Sequence, residues 1–289
     1  MMRNKRKISF VIFALPTFVA FCIGFLYPFI QGLYLSFCHF VLPGDAQWVG
    51  LKNYVSALQD PNFLYAFGFT TLFAVVSVLT INLLAFGVAY ALTRGIKGEG
   101  IFRTVFFMPN LIGGIVLGYI WALIFDGVLS YFNTYLLAKT AYGFWGLLIL
   151  MCWQQIGYMM IIYIAGLQSV PEGMLEAARI DGAGKWQTLL RVTLPNMMPS
   201  ITICVFLTMT NSFKLFDQNL ALTGGMPSTF TEGGIINTTE MLALNIYKTF
   251  YVGALSRGVA QAKAVLFFVL VAVLALLQLR YTGKKEVQQ

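Results

Sequence analysis

Six polar or aromatic side chains stand inside long uncharged stretches of this 289-residue chain: Asn82, Trp121, Trp153, Gln154, Gln155 and Asn211. Lys214 closes the stretch that holds Asn211. None of the six is a nucleophile or a strong acid, so the chemistry open to them is reversible binding. An amide both donates and accepts hydrogen bonds, and an indole face stacks on a ring. Together they suit a neutral, hydroxyl-rich solute of the sugar kind and are the expected lining of a substrate path. The same residue types also tie helices together inside a membrane and form the aromatic belts at its surfaces, and the sequence leaves both readings open. Lys214 lies about 28 Å beyond Pro195 if the residues between them form one helix. That puts it at the outer interface, where it is a further candidate for the substrate path, the competing reading being an ammonium that snorkels to water.

Reactive constellations are missing. His39 is the single histidine, and with no ligand or triad set beside it, it reads as an interfacial residue. Cys22, Cys38, Cys152 and Cys204 are widely spaced and read as small hydrophobes, not as a disulfide framework or metal knuckle. No glycine-rich loop ends in Gly-Lys-Ser or Gly-Lys-Thr, which excludes nucleotide hydrolysis by that motif. The expectation is a chain with no catalytic residues, no metal and no cofactor of its own.

The elements that must position the binding side chains are membrane helices. With 58% hydrophobic residues, 10% charged ones and a mean hydropathy of +0.77, the chain has too little polar surface for a soluble domain. The net charge of +8 is spread between apolar runs, which fits orientation in a bilayer and not a nucleic-acid partner. Uncharged intervals run from Ile8 to Tyr34, then between Asp60 and Arg94, Arg103 and Asp126, Lys139 and Glu172, Arg191 and Lys214, and Lys263 and Arg280. They predict about six transmembrane helices, with Pro195 opening the fifth and Lys263 snorkelling from the start of the last. The fold class is all-α, a polytopic helical membrane protein. Gly87, Gly113, Gly114, Gly118 and Gly146 are expected to allow close helix packing.

The apolar start continues through Pro28 without a cleavage pattern, so it is read as a retained span. Most Lys and Arg fall on one side, among them Arg3, Lys5, Arg94, Arg103, Arg179, Lys185, Arg191, Lys284 and Lys285, against Lys52, Lys139, Lys248 and Arg257 on the other. Both termini are therefore expected in the cytoplasm. The organisation expected is a first transmembrane helix over 1–35, an external loop over 36–64, a core of five helices over 65–283 containing a cytoplasmic loop at 167–195, and a tail at 284–289. A second long external connection runs over 217–257. No ionisable residue stands well inside a predicted span and no internal repeat is visible, which argues against a stand-alone secondary transporter.

The 167–195 loop has its own pattern. Pro171 precedes helix formers from Glu172 to Arg179, Gly182 and Gly184 break the helix, and a second short helix leads to Pro195. Ala177 and Ala178 leave a shallow face that another protein's backbone can approach. Glu176-Ala177-Ala178, Gly182 and Val192-Thr193-Leu194-Pro195 together resemble the EAA loop of the inner-membrane permeases of binding-protein-dependent ABC importers, with Val192 in place of isoleucine. Val49-Gly50-Leu51-Lys52-Asn53-Tyr54, Gly118-Tyr119-Ile120-Trp121 and Leu222-Thr223-Gly224-Gly225 resemble the sugar-uptake branch, of the maltose, glycerol-phosphate and multiple-sugar type, and its first permease of a heterodimer. The resemblance implies a coupling helix, with Glu176, Ala177, Ala178, Asp181 and Gly182 seated on a cytoplasmic ATP-binding subunit that uses ATP and magnesium. It also implies a second related permease and an extracytoplasmic solute-binding protein that delivers a sugar, an oligosaccharide being preferred. Glycerol-phosphate-type and amino-acid solutes stay open.

Overall fold

A computed structural model describes residues 2–231, 234–252 and 257–283; the expected tail at 284–289 lies outside the described residues. The helices in order are α1 (Met2–Phe21), continued through a turn of π-helix by α2 (Tyr27–Leu35), α3 (Lys52–Gln59), α4 (Pro61–Leu92), α5 (Glu99–Phe107), α6 (Gly114–Ser130), α7 (Thr140–Gln168), α8 (Glu172–Ile180), α9 (Lys185–Thr188), α10 (Leu194–Asn196), α11 (Met198–Phe213), α12 (Asp217–Leu222), α13 (Leu242–Tyr251) and α14 (Arg257–Gly283). Two short hairpins interrupt them, β1 (Cys38–His39) with β2 (Gln47–Trp48), and β3 (Ser228–Thr231) with β4 (Gly234–Asn237). Four helical stretches are long and apolar enough to cross a membrane, and two bent pairs raise the number to six if each pair is one span. Counted that way, the six intervals in the sequence become six membrane elements, two of them not straight.

The described residues divide into two compact units. The first contains those up to Asp60 and those of Ile246–Phe268. In it the Asn53 amide donates to the carbonyls of Ser36 and Cys38, each at 2.9 Å, and so fastens α3 to the strand β1. A Cβ on Gly258 would lie 2.1 Å from the Cys38 carbonyl oxygen, so α14 approaches that strand at a point only glycine allows. Lys263 does not snorkel: it is 1% exposed, with its Nζ 2.6 Å from Asp60 Oδ2 and 2.9 Å from Thr249 Oγ1. The carboxylate that makes burial tolerable stands 203 residues away in sequence, where a reading of local charge does not see it. Truncating the carboxylate with Asp60→Ala is expected to destabilise the chain by about 3 kcal/mol, the cost of breaking a buried pair from one side. The melting temperature of detergent-solubilised protein reads this loss, and Lys263→Met in the same background should recover most of it.

The second unit holds the remaining helices. Along α4, Ala66, Thr70, Phe73, Ser77, Ile81, Ala85 and Ala89 recur every three or four residues and are buried, while Leu72, Val75, Leu79 and Leu83 form an exposed apolar stripe. In a membrane the first stripe packs on protein and the second meets lipid. The buried stripe joins Leu147, Met151, Met159 and Met160 of α7 and Cys204 of α11 in one core. The third interval is broken: α5 and α6 meet at 101°, across a 3₁₀ turn at Met108–Leu111 that contains Pro109. The fifth is bent by 73° between the Lys185–Asn196 stretch and α11, and Pro199, not Pro195, stands in the first turn of α11. The second hairpin is held by Asn62, which donates to the Ile235 carbonyl at 2.8 Å and accepts from the Asn237 N–H at 3.3 Å.

Candidate functional site

Three consecutive residues of α7 reach three different neighbours, because successive side chains on a helix diverge by about 100°. The Trp153 ring stands edge-on to Trp121 of α6, centroids 5.5 Å apart. Gln154, 6% exposed, donates to the Ile112 carbonyl at the break between α5 and α6 at 3.2 Å and accepts from Gln218 Nε2 of α12 at 2.7 Å. Gln155 Oε1 accepts from Asn211 Nδ2 of α11 at 3.2 Å. The structure therefore brings Trp121 to Trp153 and Asn211 to Gln155, all around one turn of α7. Gln218 was missed in the sequence because it follows Asp217, outside the uncharged interval, on a six-residue helix. Its helix crosses α6 closely: a Cβ on Gly118 would lie 2.5 Å from Ala221 Cβ, and one on Gly114 2.8 Å from Asp217 Cβ. The packing role expected of the glycines holds at Gly114, Gly118 and Gly146, but Gly87 and Gly113 have nothing within 4 Å of a built Cβ.

Asn82 belongs to a separate knot. Its Oδ1 accepts from the Tyr163 hydroxyl at 2.7 Å, and its Nδ2 donates to the Val78 carbonyl at 2.7 Å and Thr208 Oγ1 at 3.3 Å, so one amide ties α4 to α7 and α11. Such bonds inside membranes average about 0.6 kcal/mol and reach about 1.7. A double-mutant cycle with Asn82→Ala and Tyr163→Phe should give a coupling energy in that range from thermal unfolding. Lys214 follows the last residue of α11 and is exposed, and with α11 only 16 residues long and bent away from Pro195, the single straight rise expected between them is replaced by two segments.

The 167–195 loop folds as a helix, a turn and a second short helix. Glu172 in the first turn of α8 and Arg179 in the last suit the helix dipole. The helix ends on Gly182 at φ +75°, with Gly182 N–H bonded to the Arg179 carbonyl and Ala183 N–H to the Ala178 carbonyl, the paired closure of a left-handed glycine stop. α9 is fixed by Gln187 Oε1, which accepts from the Gly184 N–H at 3.0 Å. Glu176, Ala177, Asp181 and Gly182 are exposed, and Ile180 is 85% exposed. Ala178, at 8%, packs inward, so the open alanine face expected from the sequence is half as wide and rests on Ala177.

A multi-span helical bundle with binding-type polar side chains inside it and a structured helix–turn–helix between its fourth and fifth spans defines a membrane permease. The chain belongs to the family described as binding-protein-dependent transport system inner membrane component, whose model matches residues 82–284, the whole 167–195 loop included. It is a multi-pass inner-membrane protein of a non-catalytic family. It is 41% identical over 292 residues to the "Probable starch degradation products transport system permease protein AmyD" of Thermoanaerobacterium thermosulfurigenes, covering 98% of this chain and 97% of the relative. It is 30% identical to the "Multiple sugar-binding transport system permease protein MsmF" of Streptococcus mutans, covering 91% of each. Among solved structures, a chain of a bacterial ABC transporter that imports the acidic polysaccharide alginate has the same fold, with a TM-score of 0.81, 21% identity and 98% of both chains covered.

Proposed function

We propose that this chain is the transmembrane permease subunit of an ATP-driven importer of a sugar, an oligosaccharide in the first instance. It pairs with a second, related permease, receives solute from an extracytoplasmic binding protein, and is driven by cytoplasmic ATP-binding subunits that hold the ATP and magnesium. Both termini face the cytoplasm. The observation that carries this reading is α8: a short helix stopped by a left-handed glycine, with Glu176, Ala177, Ile180 and Asp181 exposed between two spans. Family membership and the carbohydrate named in the relatives' descriptions support it. For the solute, the Trp121–Trp153 pair supplies ring faces, and the amides of Gln154, Gln155 and Asn211 supply hydrogen bonds that can be re-made to hydroxyls; Lys214 stands further along the path, whereas Asn82, bonded to Tyr163 and Thr208, is left to hold the bundle together.

Affinity purification of the tagged chain from its native membrane in mild detergent tests the assembly. A second permease and an ATP-binding subunit in stoichiometric amount are the expected result. Recovery of the chain alone, repeated under crosslinking, would overturn the reading.

A further inference from the structure

Two cavities of the second unit lie side by side against the 167–195 loop. One is a cleft of 480 Å³ whose lining includes Arg94, Arg179 and Lys185 and contains no acidic residue. The other is a mostly apolar groove of 580 Å³ between α4, α7 and α11, walled by Leu79, Leu83, Phe86, Leu194, Val205 and Trp186, with Asn82 and Tyr163 also in its wall but bonded to each other. Tyr90 and Leu189 line both, so the basic cleft and the apolar groove lie on either side of the same two side chains. The Arg94 guanidinium is laid over the Tyr90 ring at 4.3 Å, which fixes it at the junction. Trp186 is 75% exposed at the mouth of the groove, and Gly87 leaves the floor open, with nothing within 4 Å of where a Cβ would be.

We propose that these cavities together are a binding site for one anionic glycerophospholipid. Its phosphodiester sits among Arg94, Arg179 and Lys185 and its acyl chains lie along α4 and α11. Charge complementarity selects the occupant. Three cations in a cleft lined by no acidic residue favour a headgroup with net negative charge over a zwitterionic one, whose own ammonium they would repel. A free phosphate would satisfy the cations and leave the adjoining groove unfilled. Arg179, Lys185 and Thr188 belong to the proposed coupling loop, so the lipid steadies that loop against the spans; this consequence, though not the binding itself, rests on the function proposed above.

The complex as purified, reconstituted in phosphatidylcholine nanodiscs with added phosphatidylglycerol brominated on its acyl chains, gives a direct readout. Trp186 fluorescence is isolated as the difference between wild type and Trp186→Phe. Brominated phosphatidylglycerol is expected to quench it at a lower mole fraction than brominated phosphatidylcholine does. Each cation near a membrane surface contributes a factor of about five, so Arg94→Gln with Lys185→Gln should raise the fraction for half-quenching about twenty-five-fold. Arg94→Lys with Lys185→Arg, which keeps the charge, should retain the preference and show that loss in the first pair is not misfolding. Equal quenching by the two lipids, full displacement by inorganic phosphate, or quenching that emerges only when ATP-binding subunits are stripped away would each overturn the proposal. Transport is not read, so failure of the coupling assignment leaves this measurement standing.

Discussion

A Gly182→Arg chain is expected to insert in the membrane and assemble normally, yet to lose coupling between ATP hydrolysis and transport. The residue sits at φ +75° with nothing within 4 Å of a built Cβ. Arginine there meets no clash; it meets a backbone conformation that costs an L-residue roughly 1–2 kcal/mol. That strain is confined to the stop after α8, and its cheapest release is to unwind the two N–H bonds at Arg179 and Ala178, which swings α9 out of place. The spans do not depend on this turn. Glu176→Lys tests the same surface by another route, because Glu176 is exposed and charge reversal changes what it can pair with while leaving α8 intact. In proteoliposomes, uptake of labelled solute should fall to background for both while ATP hydrolysis continues. Normal uptake by either variant would remove the loop from the coupling role.

Gly157→Ala should do the opposite and damage the bundle itself. A Cβ at Gly157 would lie 1.8 Å from the Phe106 carbonyl oxygen, 2.2 Å from its carbon and 2.7 Å from the Phe107 nitrogen. These are backbone atoms, so no rotamer change clears them; α5 must move off α7, and the Gln154 bond to Ile112 beyond it must stretch. Overpacking of this kind costs about 1–3 kcal/mol or more. Gly166→Ala is milder, since its Cβ would meet Ser200 Oγ at 2.5 Å, which can turn away, and Ser200 Cβ at 2.7 Å, which asks only a small shift of α11. Gly87→Ala, with open space, should be neutral. Melting temperature and monodisperse yield in detergent should rank the three in that order, and a Gly157→Ala protein as stable as Gly87→Ala would contradict the α5–α7 contact.

The membrane class, the span count and the helix–turn–helix of the loop were legible because each is written in contiguous residues: long uncharged runs, a proline before a helix, a glycine after it. The bends were not, although Pro109 and Pro199 mark them, because an uncharged interval reports residence in lipid and says nothing of helix direction. The second hairpin escaped for the same kind of reason. Its strands are four residues each, and the side chain that fastens it to α4 is Asn62, 173 residues distant. Lys263 was misread because its partner is equally remote. Of the residues picked by type as path candidates, the structure pairs Trp121 with Trp153 and Gln155 with Asn211, contacts the sequence does not announce, while Gln154 bonds Ile112 and Gln218 and Asn82 stands apart in a bond to Tyr163.

The divergence of Trp153, Gln154 and Gln155 around α7 limits how this protein can move. A shaft keyed on three sides cannot spin: turning α7 about its axis by one residue step would part Trp153 from Trp121, Gln154 from Gln218 and Gln155 from Asn211 at once. What remains is a tilt in which α6, α11 and α12 travel with α7 as a block, with the pivots at the two places where the helix axis already changes direction, Met108–Leu111 and Met197.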